Sequence, residues 1–377
     1  MATTQFIFLV PGFFGFAKLG DFAYFGHVQD LLEKRLRAAG VTPHVEPVRT
    51  HPTASIRTRA RLLLDAIAET AGSSDEPIHL VGHSTGGVDA RLLAGAAVSL
   101  GDGVDHEPYA RRIRSVVTVA SPHRGAPLAA FFASILGQRV LQLLTLLSVY
   151  GLRFGHVPLS FLLKLAAVLT RLDDAAGWRD TLVDQLFEQL LGEFTGDRRV
   201  EVEGFLAQVS SDQALLMQLT PDGMDLFNAG VTDRPGVRYG SVVTRAPTPS
   251  LRGRLDLGFD PYAQASYGLY QLIHRRTSLV AAKHLAPPTG ELRTRMQQGL
   301  ALLPTEADND GIVPTLSQPW GELIAAVEAD HLDIIGHFEA PGKTAPHVDW
   351  LCSCSGFDRP RFEQVWDRVA RFMVGEG

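Results

Sequence analysis

The sequence predicts an α/β protein, with a mostly parallel central sheet flanked by helices and a large helical cap inserted into it. Three observations carry this expectation. From Phe6 to Ala120, short apolar runs alternate with segments whose apolar residues recur every three or four positions. The run Ile78 to Val81 passes directly into Gly82-His83-Ser84-Thr85-Gly86 and then into a helical pattern at Val88, Leu92 and Ala96. Between Ala126 and Thr170 the alternation stops and leucine becomes dense.

Taken in order, Phe6 to Val10 is an apolar strand that ends in Pro11-Gly12-Phe13-Phe14-Gly15. Val28, Leu31, Leu32 and Leu36 mark an amphipathic helix closed by Gly40, and Val41 to Val48 reads as a strand. Ile56, Ala60, Leu63, Leu64 and Ile67 form the stripe of the next helix, which Gly72 ends. After the Ser84 segment, Arg114 to Ala120 is a strand running into Ser121-Pro122-His123-Arg124-Gly125. Residues 1–125 and 219–377 are expected to form the core domain and 126–218 the cap, with a second insertion at about 245–290. Asp173 to Gln218 continues as helices with polar faces, and Val237 to Thr244 is strand-like again. Asp308 to Pro314 is a loop, His331 follows the apolar segment Leu323 to Val327, and the last helix presents Phe362, Val365, Trp366, Val369 and Met373 on one face.

Composition excludes several classes. The chain has 377 residues, 45% hydrophobic and 20% charged, which is ordinary for a globular protein. Its net charge is −6, and its basic pairs, Arg111-Arg112 and Arg275-Arg276, are isolated, so no nucleic-acid partner is expected. The uncharged runs fall well short of the ~20 residues that span a bilayer, so no transmembrane segment is expected. No secretory signal is read before Pro11, which suggests a cytoplasmic or already processed chain. The two cysteines, Cys352 and Cys354, are too close for an ordinary structural disulfide and suit a reducing compartment.

The chemistry centres on Ser84. Gly-x-Ser-x-Gly alone is common turn punctuation, but between a strand and a helix it becomes a nucleophile elbow, whose strained turn lifts the serine hydroxyl clear of the sheet. Such a serine needs N–H donors aimed at the developing oxyanion. The Thr85 amide, just after the nucleophile, and the Phe13 amide, in the glycine-rich turn after the first strand, are the candidates. It also needs a histidine base oriented by a carboxylate, in the chain order nucleophile, acid, histidine. His284, His331, His337 and His347 lie far enough along. His331 is preferred because Asp310 precedes it by 21 residues (331 − 310) in a glycine-bearing loop. His337 is the second choice of base and Asp308 the rival acid. The segment 126–170 is read as an apolar lid over the site, with Leu143, Leu144 and Leu147, together with Phe14, as substrate-contacting residues.

These stretches resemble the bacterial true lipases of the α/β-hydrolase fold. Val10-Pro-Gly-Phe-Phe-Gly15 is similar to their oxyanion turn, although that family usually has histidine where this chain has Pro11. Gly82-His-Ser-Thr-Gly-Gly87 is similar to their elbow, and Val119-Ala-Ser-Pro-His-Arg-Gly125 to a segment after the next strand. Leu219-Thr-Pro with Phe227-Asn228, Asn309-Asp-Gly-Ile-Val313 and His331-Leu-Asp333 resemble further islands in the family's order. The resemblance implies Ser84, Asp310 and His331 as a catalytic triad, with Phe13 and Thr85 as oxyanion donors. It implies a serine carboxylic-ester hydrolase that forms an acyl-enzyme on Ser84 and acts on lipid-like or polymeric esters, including those at an interface. An acyltransferase or thioesterase would use the same parts, and a catalytically silent lipid-binding scaffold is the non-enzymatic alternative. No cofactor is required. Many such lipases carry a structural calcium, and Asp333 matches one ligand position. His337, however, stands where an amide oxygen is expected, and Ca²⁺ prefers oxygen ligands. His347, Asp349, Cys352 and Cys354 are read as a local coincidence rather than a transition-metal cluster.

Overall fold

The computed structural model describes residues 4–13, 18–19, 22–133, 138, 141–143, 146, 159–161, 163–164, 178–279, 284–338, 349 and 351–375. Six strands form one sheet: β1 (Thr4–Val10), β2 (Thr42–Pro47), β3 (Ile78–His83), β4 (Ile113–Val119), β5 (Arg238–Arg245) and β6 (Glu322–Glu328). Their spatial order is β2-β1-β3-β4-β5-β6, and every neighbouring pair is parallel. A short antiparallel pair, Lys18–Leu19 with Phe22–Ala23, stands apart from this sheet. The inner strands read as nearly continuous apolar runs because both faces of a parallel sheet are covered.

The period-2 alternation of β1 divides the core. Ile7 and Leu9 pack on one face with α1 (Gly26–Ala38) and the C-terminal α11 (Arg359–Val374). Phe8 and Val10 pack on the other with α2 (Ile56–Ala71) and α3 (Thr85–Ala94). Each helix buries the stripe its sequence marks. In α1 this is Val28, Leu31, Leu32 and Leu36. In α11 it is Phe362, Val365, Trp366, Val369 and Met373, joined by Ala370 and Phe372. Ser55 caps α2 by accepting the Thr58 N–H, and Gly72 ends it at φ 49°. The α11 N-cap is Asp358, and Gly375 closes the helix at φ 81°.

This topology places the site. The helix after β1 lies on one face of the sheet and the helix after β3 on the other, although the two strands are neighbours. The chain therefore parts at their C-terminal ends and leaves a crevice, where open α/β sheets bind ligands. Val10 pairs with Gly82 at that edge, which brings Pro11-Gly12-Phe13 beside Ser84.

After β4 come α4 (Pro127–Phe132), α5 (Trp178–Gly192), α6 (Asp197–Ser211), α7 (Ala214–Gln218) and α8 (Pro221–Gly230). The segment between β5 and β6 holds the helix Leu251–Asp256, α9 (Pro261–Thr277) and α10 (Gly290–Leu300). Leu143 and Leu146 pack with Leu186, Leu190 and Phe194 of the α5 region, Leu206 of α6 and Leu269 of α9, in an apolar cluster separate from the sheet. Among the described residues, no helix is long and apolar enough to cross a membrane. Most of the segment read as a lid, with Phe14, Leu144, Leu147 and His347, lies outside the described residues.

Candidate active site

Ser84 occupies the turn between β3 and α3 at φ 54° and ψ −127°, a conformation that costs a non-glycine residue about 1–3 kcal/mol. The neighbouring glycines make the turn sterically feasible. A Cβ on Gly82 would overlap the Gly86 backbone, and one on Gly86 would overlap the Val10 carbonyl. A Cβ on Gly12 would lie 2.7 Å from Ser84 Cβ, so glycine there lets the turn after β1 close over the nucleophile. The Ser84 N–H is anchored to the Val119 carbonyl at 2.8 Å.

His331 follows β6, and its Nδ1 lies 2.8 Å from Asp310 Oδ2. The backbone pins the same pair, since the His331 N–H donates to the Asp310 carbonyl at 2.9 Å. Asp310 is fully buried and thoroughly bonded. Its Oδ1 accepts the Ile312 and Val313 N–H groups at 3.0 and 2.7 Å. Its Oδ2 also accepts the Thr244 hydroxyl at 2.8 Å and the Gln318 amide at 3.2 Å. Asp308, by contrast, accepts the Thr305 N–H and hydroxyl within its own exposed loop, both at 2.7 Å. His284 is engaged elsewhere, with Asp225 at 3.1 Å and Asp222 at 3.6 Å.

Ser84 and His331 open into one cavity of about 140 Å³. Its apolar lining includes Leu128, Phe132, Leu141, Leu216, Leu219 and Ile273. Phe13 and Thr85 line it beside Ser84. No hydrogen bond joins the Ser84 hydroxyl to His331 among the described residues. Leu143 does not line the cavity. Its side chain is fully buried in the cluster between α5 and α9, and Leu141, two residues earlier on the opposite side of the chain, reaches the wall instead.

Residues outside the sequence motifs hold the site together. Arg59 of α2 is fully buried and paired with Asp89 of α3 at 2.8 Å. Its Nη2 donates to the Pro11 and Gly12 carbonyls at 2.9 and 3.2 Å and to the Thr85 hydroxyl at 3.2 Å. Because N–H and C=O of a trans peptide point opposite ways, holding the Gly12 carbonyl on Arg59 turns the Phe13 N–H away from it. Burial pushes Asp89 up to about 6, and the Arg59 charge opposes that shift. Arg59 was detectable as a charge on an apolar helix face, between Ile56 and Leu63.

Beside His331, Asp330, Asp333 and Asp349 bring one carboxylate oxygen each within 4.8 Å of one another. Burial raises Asp330 to about 6 and raises Asp333 well above the usual carboxylate range, with the neighbouring charges of Asp330 and Asp349 adding to the latter. Three hard oxygen donors on acidic side chains are the chemistry a divalent cation such as Ca²⁺ selects. The sequence reading matched Asp333 to a calcium-ligand position, placed Asp349 in a different set with His347, Cys352 and Cys354, and gave Asp330 no role.

A parallel sheet in this order, with a strand–turn–helix elbow at the switch point and loops after β5 and β6 converging on it, is the α/β-hydrolase fold. Among solved structures, a metagenomic carboxyl esterase shares it with a TM-score of 0.51 and 16% identity, over 100% of this chain and 77% of that one. Staphylococcus hyicus lipase is similar at a TM-score of 0.49 and 15% identity, over 99% and 95% of the two chains. EstA from Clostridium botulinum is similar at 0.48 and 20% identity, over 93% and 86%. No protein-family model matches the sequence, and no curated protein matches it.

Proposed function

We propose that the protein is a serine carboxylic-ester hydrolase working through an acyl-enzyme on Ser84. The observation that carries this reading is one arrangement: a serine on a strained elbow shares an apolar cavity with a histidine whose Nδ1 is held by a buried aspartate at 2.8 Å. With Nδ1–H donated to Asp310, His331 Nε2 is the nitrogen free to act as base. It takes the Ser84 proton as Oγ attacks the ester carbonyl. The Phe13 and Thr85 N–H groups receive the oxyanion, and the proton passes to the leaving alcohol. Water then attacks the acyl-enzyme by the same route in reverse. Asp330, Asp333 and Asp349 would hold a divalent cation outside this proton path, where it would offset charge and stiffen the His331 turn.

The cavity supports an apolar acyl group of limited length. Its volume matches the ~150 Å³ in which a dry apolar cavity holds benzene, about six heavy atoms. Esters of four- to six-carbon acids are therefore expected to give the highest kcat/KM. A p-nitrophenyl ester series from acetate to palmitate, run on wild type and Ser84→Ala, tests the reading. Turnover of the shorter esters that vanishes in Ser84→Ala supports it, and undiminished turnover by Ser84→Ala refutes it.

A further inference from the structure

The residue before the nucleophile, His83, is buried, and its ring packs on that of His331 with centroids 4.6 Å apart. Both of its nitrogens are engaged. Nε2 lies 2.8 Å from the His331 carbonyl oxygen, and Nδ1 lies 2.6 Å from the Tyr24 hydroxyl. A carbonyl only accepts, so Nε2 carries the proton and donates it. Burial pushes the His83 pKa well down, which keeps the ring neutral and leaves Nδ1 as an acceptor for the Tyr24 O–H. The Tyr24 oxygen in turn accepts the Gly12 N–H at 3.3 Å. Each group along Gly12–Tyr24–His83–His331 thus has a single donor direction.

This chain of bonds joins three parts of the site that are remote in sequence. It starts in the turn that carries the Phe13 N–H, passes the residue adjoining Ser84, and ends on the backbone of His331. It also engages the Gly12 N–H, one residue before Phe13 in the turn. Acyl transfer needs nucleophile, base and oxyanion donors aligned to a fraction of an ångström. We propose that Tyr24 and His83 are positioning residues that lock the oxyanion turn and the His331 loop into one register around Ser84. The proposal rests on the serine-hydrolase reading. Tyr24 is among the residues lining the cavity, but its hydroxyl is bonded to Gly12 and His83, so its effect on the reaction runs through those two groups.

Tyr24→Phe removes the hydroxyl and keeps the ring, which packs edge-on against Phe25. The expected result is a loss of about tenfold in kcat on p-nitrophenyl butyrate with KM within twofold of wild type. Affinity for butylboronic acid, which forms a tetrahedral adduct on serine, should fall by the same factor. Melting temperature is followed for every variant. His83→Gln keeps a donor that reaches the His331 carbonyl and should retain several-fold more activity than His83→Leu. Because the bonds act in series, Tyr24→Phe combined with His83→Gln should lose less than the product of the single losses. Tyr24→Phe with kcat within twofold of wild type overturns the proposal, as does an unchanged boronate affinity or equal activity of the Gln and Leu variants. In each of these cases wild-type turnover shows that the hydrolase reading itself still stands. Absence of turnover by wild type on every ester overturns both.

Discussion

Asp310 accepts from five donors, two backbone N–H groups and the side chains of Thr244, Gln318 and His331, and no exposed carboxylate could be held so firmly. Asp310→Asn replaces one accepting oxygen with a donor facing His331 and favours the wrong imidazole tautomer. kcat on a butyrate ester should fall by about 10⁴. Asp308→Asn should stay within about threefold, because the Asp308 carboxylate accepts from Thr305 of its own loop. Steady-state kinetics on both variants checks this, and a reversed order would assign the acid to Asp308. At this scale the sequence singles out candidates where chemistry forces residue type and spacing, as at Ser84, Asp310 and His331. It was silent on Tyr24 and Thr244, whose partners lie 59 and 66 positions away and are set by the folded sheet, and on Gln318, which bonds both Asp310, 8 positions away, and Thr244, 74 positions away.

The elbow combines function and strain within one element. Ser84→Gly should abolish turnover yet raise melting temperature by about 2 °C, because glycine adopts φ 54° without the side-chain penalty. A lower melting temperature in that variant would show that the serine side chain contributes more than the turn costs. Gly86→Ala should do the reverse, since its Cβ would strike the Val10 carbonyl and force β1 and α3 apart, at a cost of about 2 kcal/mol or more. Thermal unfolding of both variants reads the two effects directly. Elements were legible from sequence where a polar face contrasts with an apolar one, as in α1, α2 and α11, and their edges moved by a residue or two. The leucine-dense segment after α4 was not legible in the same way. Leucines in succession mark burial but not direction, so Leu141 at the cavity wall and Leu143 in the separate cluster look alike in the sequence.

For the whole molecule, alternation of strand and helix gave the fold class, but not the strand order that puts the crevice between β1 and β3. Nor did it bring Asp330, Asp333 and Asp349 together, because Asp349 lies 16 positions (349 − 333) beyond Asp333 in the sequence. Stability should reflect this buried charge. Asp330 is raised from its ordinary 3.8 to about 6 by burial, so between about pH 4 and 6 the folded state keeps a proton that the unfolded chain has lost. This contribution to stability is present below that window and lost as pH rises through it. Millimolar Ca²⁺ should therefore raise melting temperature by several degrees at pH 8, with little effect at pH 4.5, and Asp333→Asn should remove the response. Melting curves insensitive to Ca²⁺ and EDTA at pH 8 would show that the cluster is satisfied by its own hydrogen bonds.

The central claim is that Ser84 becomes covalently acylated, and the most direct measurement is peptide mass mapping of the protein after reaction with an alkyl fluorophosphonate. One label per chain is predicted, on the peptide containing Ser84, formed at a rate that falls by orders of magnitude in His331→Ala and is absent in Ser84→Ala. A label on another residue, or none in the presence of intact folded protein, would contradict it.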